Sequence, residues 1–205
     1  MLENRSYDFM VGAGNDERGN IITGRPIVYD QKTNIGGLFD EVIDRGALDS
    51  ADLKDVRFLV NHDLSRIPLA RSRNNNANST MQLTVDSEGM GIRVLLDTEN
   101  NADARALYSA VERQDISGMS FMFAVDGEEW ENLDSDMPLR HITKISNVVE
   151  VSAVTFPAYP QTEIDARSAE ELESAKATLE NVKKRNAIAL ENAELELLKE
   201  KIKLY

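Results

Sequence analysis

The 205-residue chain predicts an α+β fold, with a β-rich domain over residues 1–167 and one long α-helix over residues 168–205. Three observations carry this reading. Up to about Arg167 the sequence consists of short β-branched runs separated by Gly, Asn and Asp, without the alternation of strand and helix that marks βαβ units. A single internal stretch has the cap and the spacing of a helix. From Ser168 onward there is no glycine or proline, and Ala, Glu, Lys and Leu dominate.

In chain order, the patterns predict strands at Ile21 to Tyr29, Val56 to Asn61, Met81 to Val85, Gly91 to Leu96, Met119 to Val125, Arg140 to Ile145 and Val148 to Thr155. The stretches Gly12 to Asn20, Arg73 to Ser79 and Ser87-Glu88-Gly89 read as loops, because their Gly, Asn, Asp and Ser residues favour turns over ladders. The internal helix runs from about Ala102 to Gln114. Asn101 can cap it, Asp103 suits its positive end, and Leu107 and Val111 fall four apart on one face. The C-terminal segment extends to ~57 Å at 1.5 Å per residue. Leu172 and Leu179 are seven apart, and so are Leu190, Leu197 and Leu204, with an 11-residue step between the sets. Such a stutter marks a helix that packs along its length while its seam shifts, either against its own domain or against another helix.

Charge and composition exclude several function classes. With 36 Asp+Glu against 23 Lys+Arg, the net charge is −13, which repels a phosphate backbone, and no basic stripe offsets it. Residues 168–205 hold 8 of the acidic and 7 of the basic side chains, so the acidity belongs to residues 1–167. The absence of cysteine removes thiol nucleophiles, disulfide frameworks and cysteine-ligated metals. No apolar run approaches ~20 residues and the N-terminus is not of secretory type, so a cytoplasm-like compartment without membrane contact is expected. The two histidines, His62 and His141, lie 79 residues apart with no chelating spacing, and no glycine loop suits a phosphate. Neither a metal nor a cofactor is expected.

Three places could carry chemistry. In Val60-Asn61-His62-Asp63 an apolar strand ends in an imidazole, which a rigid strand would hold and a loop would leave accessible, as a general base requires. Ser120 lies just inside a strand in which Phe121, Phe123 and Val125 face the core, so Ser120 and Met122 fall on the opposite face. Gly118 precedes it by two, but Met122 stands where the G-x-S-x-G elbow needs glycine, so an α/β-hydrolase is not supported. Glu150 lies within the apolar run Val148 to Val154, where a carboxylate needs a partner, either an arginine or an imidazole that it orients. His141, nine residues before it, is a competing orienting group.

Taken together, these segments resemble the prohead maturation proteases of tailed phages, which are similar to the assemblin-like serine proteases of herpesvirus capsids. The resemblance is carried by Gly24-Arg25-Pro26-Ile27-Val28-Tyr29, Glu41-Val42-Ile43 with Gly46-Ala47-Leu48, Asp55 through Asp63, Ser117 through Phe123, and Glu150 through Pro160 with Thr162. It covers about residues 20–167, and the specificity lies in the order and spacing of the pieces rather than in any one of them. It implies a β-rich, barrel-like domain flanked by helices. By the same resemblance Ser120 is the nucleophile, His62 its base and Glu150 the third member. His141 is the alternative third member, because the herpesvirus relatives use a second histidine there. No counterpart of their arginine-bearing loop is visible.

The activity so implied is that of a serine endopeptidase that cleaves scaffolding segments of capsid proteins, and also itself, during prohead maturation. The major capsid protein and the scaffold would be its substrates, and the assembling prohead in the host cytoplasm its location. The C-terminal helix is expected to handle partners, self-association included. The competing expectation is a non-enzymatic capsid assembly or scaffolding factor, or a fusion of protease and scaffold, which a long helix would also suit.

Overall fold

The computed structural model describes residues 2–7, 11–155 and 166–203. The pieces Phe156 to Pro160 and Thr162 of the matching pattern lie outside the described residues, as do the side chains of Leu172 and Leu204. The strands are β1 (Leu2–Tyr7), β2 (Gly12–Asp16), β3 (Gly19–Val28), β4 (Thr33–Ile35), β5 (Phe39–Ile43), β6 (Asp55–Val60), β7 (Ala70–Arg73), β8 (Met81–Asp86), β9 (Gly89–Leu95), β10 (Gly118–Glu131) and β11 (Leu139–Val154). The helices are α1 (Ala102–Glu112) and α2 (Ala166–Lys203).

Two open sheets form the body, where the resemblance led us to expect a barrel. The larger runs β1-β10-β11-β5-β4, with β6 also on β11 and β7 on β6; the smaller runs β2-β3-β9-β8. The long strand β11 explains the branching. Its first part, residues 139–142, pairs in parallel with β5, and its last part, residues 150–153, pairs in parallel with β6. Its other edge is occupied by the antiparallel β10, whose register shifts between Met122 and Glu128 let the ribbon bend. Among the described residues β1, β4 and β7 each pair on one side only, so no ladder closes the sheet.

The expected strands at 21–29, 56–61, 81–85, 91–96 and 119–125 correspond to β3, β6, β8, β9 and β10. The two expected between 140 and 155 are one strand, because at Ser146-Asn147, which reads as a break, Asn147 stays paired with Ala124 and Ser146 is a bulge within the strand. Residues 12–20 differ from the loop expected: Gly12–Asp16 pairs residue for residue with Gly19–Thr23 as a hairpin. Its glycines and asparagines hide the alternation that signals a strand.

One core joins the two sheets and α1. Ile22 and Ile27 of β3, Met90 of β9, Leu107 of α1, and Phe121 and Val151 of the larger sheet belong to a single buried cluster. Full burial of each such side chain contributes roughly 1.5–3 kcal/mol. The sheets approach closely at Gly24, where an added Cβ would stand 2.3 Å from the Met119 sulfur, immediately before Ser120.

Helix α1 begins as its sequence dictates. The Asn101 side chain accepts from the Asp103 and Ala104 amides at 2.9 and 3.2 Å, and Ala104, Leu107 and Val111 form the buried face. It stops at Arg113, with Gln114 left-handed at φ 64°. In α2, Ala175 and Val182 are buried and Arg185 reaches Glu128 of β10 at 3.1 Å. Beyond Arg185 the helix leaves Ile188, Leu190, Leu195, Leu197, Leu198 and Ile202 exposed.

Candidate active site

The register of the larger sheet sets the positions. Ser120 of β10 pairs with Ser152 of β11, and Met122 pairs with Glu150, so Ser120, Ser152 and Glu150 share one face. On the other edge of β11, Leu59 and Val60 of β6 pair with Ser152 and Ala153. Strand β6 then ends in a tight turn, Val60-Asn61-His62-Asp63, closed by the Asp63 amide on the Val60 carbonyl at 3.1 Å. Asn61 and His62 both adopt positive φ, 51° and 56°. Two successive residues of this kind define a type I′-like turn, and for histidine that conformation carries strain of order 1–3 kcal/mol. The turn folds the imidazole back over β11 instead of letting it continue the strand.

The result is a chain of side chains. His62 Nδ1 lies 2.5 Å from Glu150 Oε1, and His62 Nε2 lies 2.5 Å from Ser120 Oγ. A carboxylate only accepts, so Nδ1 carries the hydrogen, and in the neutral imidazole this leaves the Nε2 lone pair facing the serine hydroxyl. Of the two partners open to Glu150, the imidazole is the one observed. Arg57, which pairs with Glu150 in the ladder, turns its side chain to Asp55 at 3.2 Å.

His141 is elsewhere in contact. Its Nδ1 lies 2.9 Å from Asp44 Oδ1 and its Nε2 lies 3.5 Å from Glu131 Oε1. It sits in the first part of β11, beside β5, whereas Glu150 sits in the last part, beside β6.

Sequence reasoning missed three further participants. The Ser152 hydroxyl donates to Glu150 Oε2 at 2.6 Å and accepts from the His62 backbone amide at 3.0 Å. The Asn61 side-chain oxygen accepts from the amide and hydroxyl of Thr155 at 3.0 and 3.1 Å, tying the turn to the end of β11. The Arg5 carbonyl of β1 lies 2.8 Å from Ser120 Oγ. The signal available for Ser152 was a lone hydroxyl two residues after Glu150 in an apolar run; a backbone carbonyl leaves no signal at all.

Ser120 has one hydroxyl hydrogen and two acceptors in reach, His62 Nε2 and the Arg5 carbonyl. Ser120 and Glu150 are fully buried, and the His62 side chain is 11% exposed. The described residues therefore hold the hydroxyl away from bulk water, with β1 against it.

Strand β1 is itself anchored by buried charge. Arg5 reaches Glu41 at 2.5 Å and Glu3 at 2.6 Å, and Arg140 reaches Glu3 at 2.6 Å, Glu41 at 2.9 Å and Glu128 at 2.7 Å. Burial alone pushes the Glu3 carboxyl up, but hydrogen bonds and charge from Arg140 and Arg5 outweigh it and hold the group at about 2. For Arg140 burial favours the neutral form, and the carboxylates of Glu3 and Glu41 reverse that, so its guanidinium is held more firmly charged than usual. Among the described residues no cluster of three or more His, Asp or Glu is placed to hold a metal, and no helix is long and apolar enough to cross a membrane.

A hydroxyl, an imidazole and a carboxylate joined in that order can generate an alkoxide for attack on a carbonyl carbon, which is the chemistry of serine hydrolases. Residues 6–178 match the family described as caudovirus prohead serine protease. The chain belongs to this family, a family of serine proteases from tailed phages. Among solved structures it is similar to the bacteriophage T4 capsid assembly protease gp21, with a TM-score of 0.44 and 10% identity over 77% of this chain and 98% of that one. No curated protein matches it.

Proposed function

We propose that the chain is a serine endopeptidase of prohead maturation, with Ser120 as nucleophile, His62 as general base and Glu150 as the group that orients and charge-stabilises the imidazole. The observation that carries this is the pair of 2.5 Å contacts linking Ser120, His62 and Glu150 in series. In the reaction His62 Nε2 takes the hydroxyl proton as Ser120 Oγ bonds to the peptide carbonyl carbon. The imidazolium then passes that proton to the leaving amine, and water releases the acyl group by the same route. Glu150 fixes the tautomer and stabilises the cation.

The substrates in this reading are scaffolding segments of the capsid proteins, the major capsid protein among them, and the chain itself. Cleavage takes place inside the assembling prohead in the host cytoplasm. Residues 1–167 form the protease domain and residues 168–205 handle partners, self-association included. The exposed apolar residues of α2 beyond Arg185 support that role for the helix.

The test is intact mass over time for the wild type and for Ser120→Ala, each alone and co-expressed with the phage major capsid protein. Truncation in the wild type only is expected. The same products from both would reject Ser120 as the nucleophile.

A further inference from the structure

The geometry points to Ser152 as a positioning residue, a fourth member of the site that acts through Glu150 and His62. This rests on the reading of Ser120, His62 and Glu150 given above. Ser152 is fully buried, and its hydroxyl uses both of its capacities within the site. The hydrogen goes to Glu150 Oε2 at 2.6 Å, and the oxygen accepts the His62 backbone N–H at 3.0 Å.

Each bond answers a separate problem. Glu150 has two carboxylate oxygens and is fully buried; Oε1 faces the imidazole, so Oε2 needs its own donor. With both oxygens held, the carboxylate plane cannot rotate, and the imidazole it grips is held in rotation as well. The second problem is the turn. His62 sits at φ 56°, a conformation that persists only when its surroundings over-determine it. Its amide points at β11, and the Ser152 oxygen is the acceptor it meets there. One side chain therefore fixes both the backbone that carries the base and the carboxylate that aims it.

Alanine at 152 would cut both ties while leaving Ser120 and His62 chemically intact. That predicts a loss in turnover rather than in substrate affinity. Partners that orient metal ligands from behind typically cost about 10- to 100-fold in activity when removed, and a loss of the same order is expected for a partner that orients this carboxylate.

Two measurements test this. The first needs no substrate: in a protein with 15N-labelled histidine, the His62 Nδ1 proton held against Glu150 gives a far-downfield NMR resonance. It should be present in the wild type, absent in His62→Ala, retained in His141→Ala, and shifted or broadened into water exchange in Ser152→Ala. The second is a cycle of kcat and KM for cleavage of the capsid-protein precursor. Ser152→Ala should lower kcat by about 10- to 100-fold with little change in KM, and cost less than about threefold once Glu150→Gln is present, because the two act as a unit. Ser152→Cys keeps the size and a weak donor, should fall between, and serves if the alanine variant does not fold. An unchanged resonance in Ser152→Ala, or the same factor of loss in both backgrounds, overturns the assignment. If Ser120→Ala cleaves like the wild type, the reading of the nucleophile fails, and the resonance still decides the role of Ser152.

Discussion

The anchoring of β1 yields a quantitative prediction, because Arg140 holds three carboxylates at once. It contacts Glu3, Glu41 and Glu128 between 2.6 and 2.9 Å and is itself fully buried. In Arg140→Met the volume is roughly kept and the charge removed, so Glu3 and Glu41 share Arg5 alone. Breaking a buried pair from one side typically costs about 3–5 kcal/mol, since the abandoned charge stays desolvated. The move of the Glu3 carboxyl from 4.5 to about 2 on folding, brought about by Arg140 and Arg5 together, is worth roughly 3 kcal/mol in all at 1.36 kcal/mol per unit, and Arg140→Met removes the Arg140 share of it. The sign follows from the depressed value. Glu3 stabilises the fold above pH 4.5 and loses that contribution as pH falls toward 2. Without Arg140 the carboxyl takes up a proton at higher pH, so the penalty of the variant should be largest near neutrality and shrink below about pH 4. Urea unfolding of both proteins at neutral pH and in mild acid is the assay, and Arg140→Met combined with Glu3→Gln should recover part of the loss. A penalty under about 1 kcal/mol at neutral pH, or one that is the same at both pH values, would show that the network does not hold β1.

Three further outcomes are expected. Glu150→Gln should lower kcat by about 10³–10⁴ with KM little moved, because the amide no longer holds the required tautomer; His141→Ala, whose partners are Asp44 and Glu131, should stay within about threefold of wild type. The reverse pattern in steady-state cleavage of the capsid-protein precursor would transfer the third role to His141. Gly89→Ala should destabilise by about 2–4 kcal/mol in thermal unfolding, since its Cβ would meet the Ile27 carbonyl oxygen at 2.0 Å from a backbone at φ +138°; a shift under about 0.5 kcal/mol would contradict that. Truncation after Ala187 should leave the melting transition within about 0.5 kcal/mol, because among the described residues the buried side chains of α2, Ala175 and Val182, and its Arg185 ion pair with Glu128 all precede the cut. Loss of cooperative melting would mean that residues 188–203 complete the fold.

What was legible in the sequence follows from how local each signal is. The cap at Asn101, the face of Ala104, Leu107 and Val111, and the uninterrupted composition of α2 are set by residues within a turn or two of one another. The strands with clear alternation were legible for the same reason. Strands β1, β4, β5 and β7 were not, because they are short or polar; β1 and β5 in addition owe their extended form to β10 and β11, far along the chain. Burial of Arg5, Glu41 and Arg140 was likewise hidden: each reads as a surface charge until all are brought together. For the site, His62, Ser120 and Glu150 could be named as candidates. The choice between Glu150 and His141 as the neighbour of His62 depended on which part of β11 lies beside β6, a matter of pairing that no local pattern encodes.

That pairing is fixed by the core rather than by the polar residues themselves. On β10 and β11 the side chains of Phe121, Val151 and Ala153 enter the buried cluster. In a strand the neighbours of core residues fall on the other face, so burying Phe121 between Ser120 and Met122 sends both of those to the face of Glu150 and Ser152. A slip of one residue in β10 would put Phe121 on the polar face and Ser120 in the core, at a cost of several kcal/mol for the phenyl ring and the unpaired hydroxyl together. The alternation that stabilises the sheet thus also sets Ser120 opposite Ser152 and two pairs along, on the same face, from Glu150. Only the imidazole lies off this grid, and it is brought in by a strained turn held through Ser152 and Asn61. Substitutions that loosen the Phe121 face should therefore disturb Ser120 and Glu150 together through the sheet, whereas with the sheet intact those at Asn61 should disturb His62 and those at Ser152 both His62 and the Glu150 carboxylate.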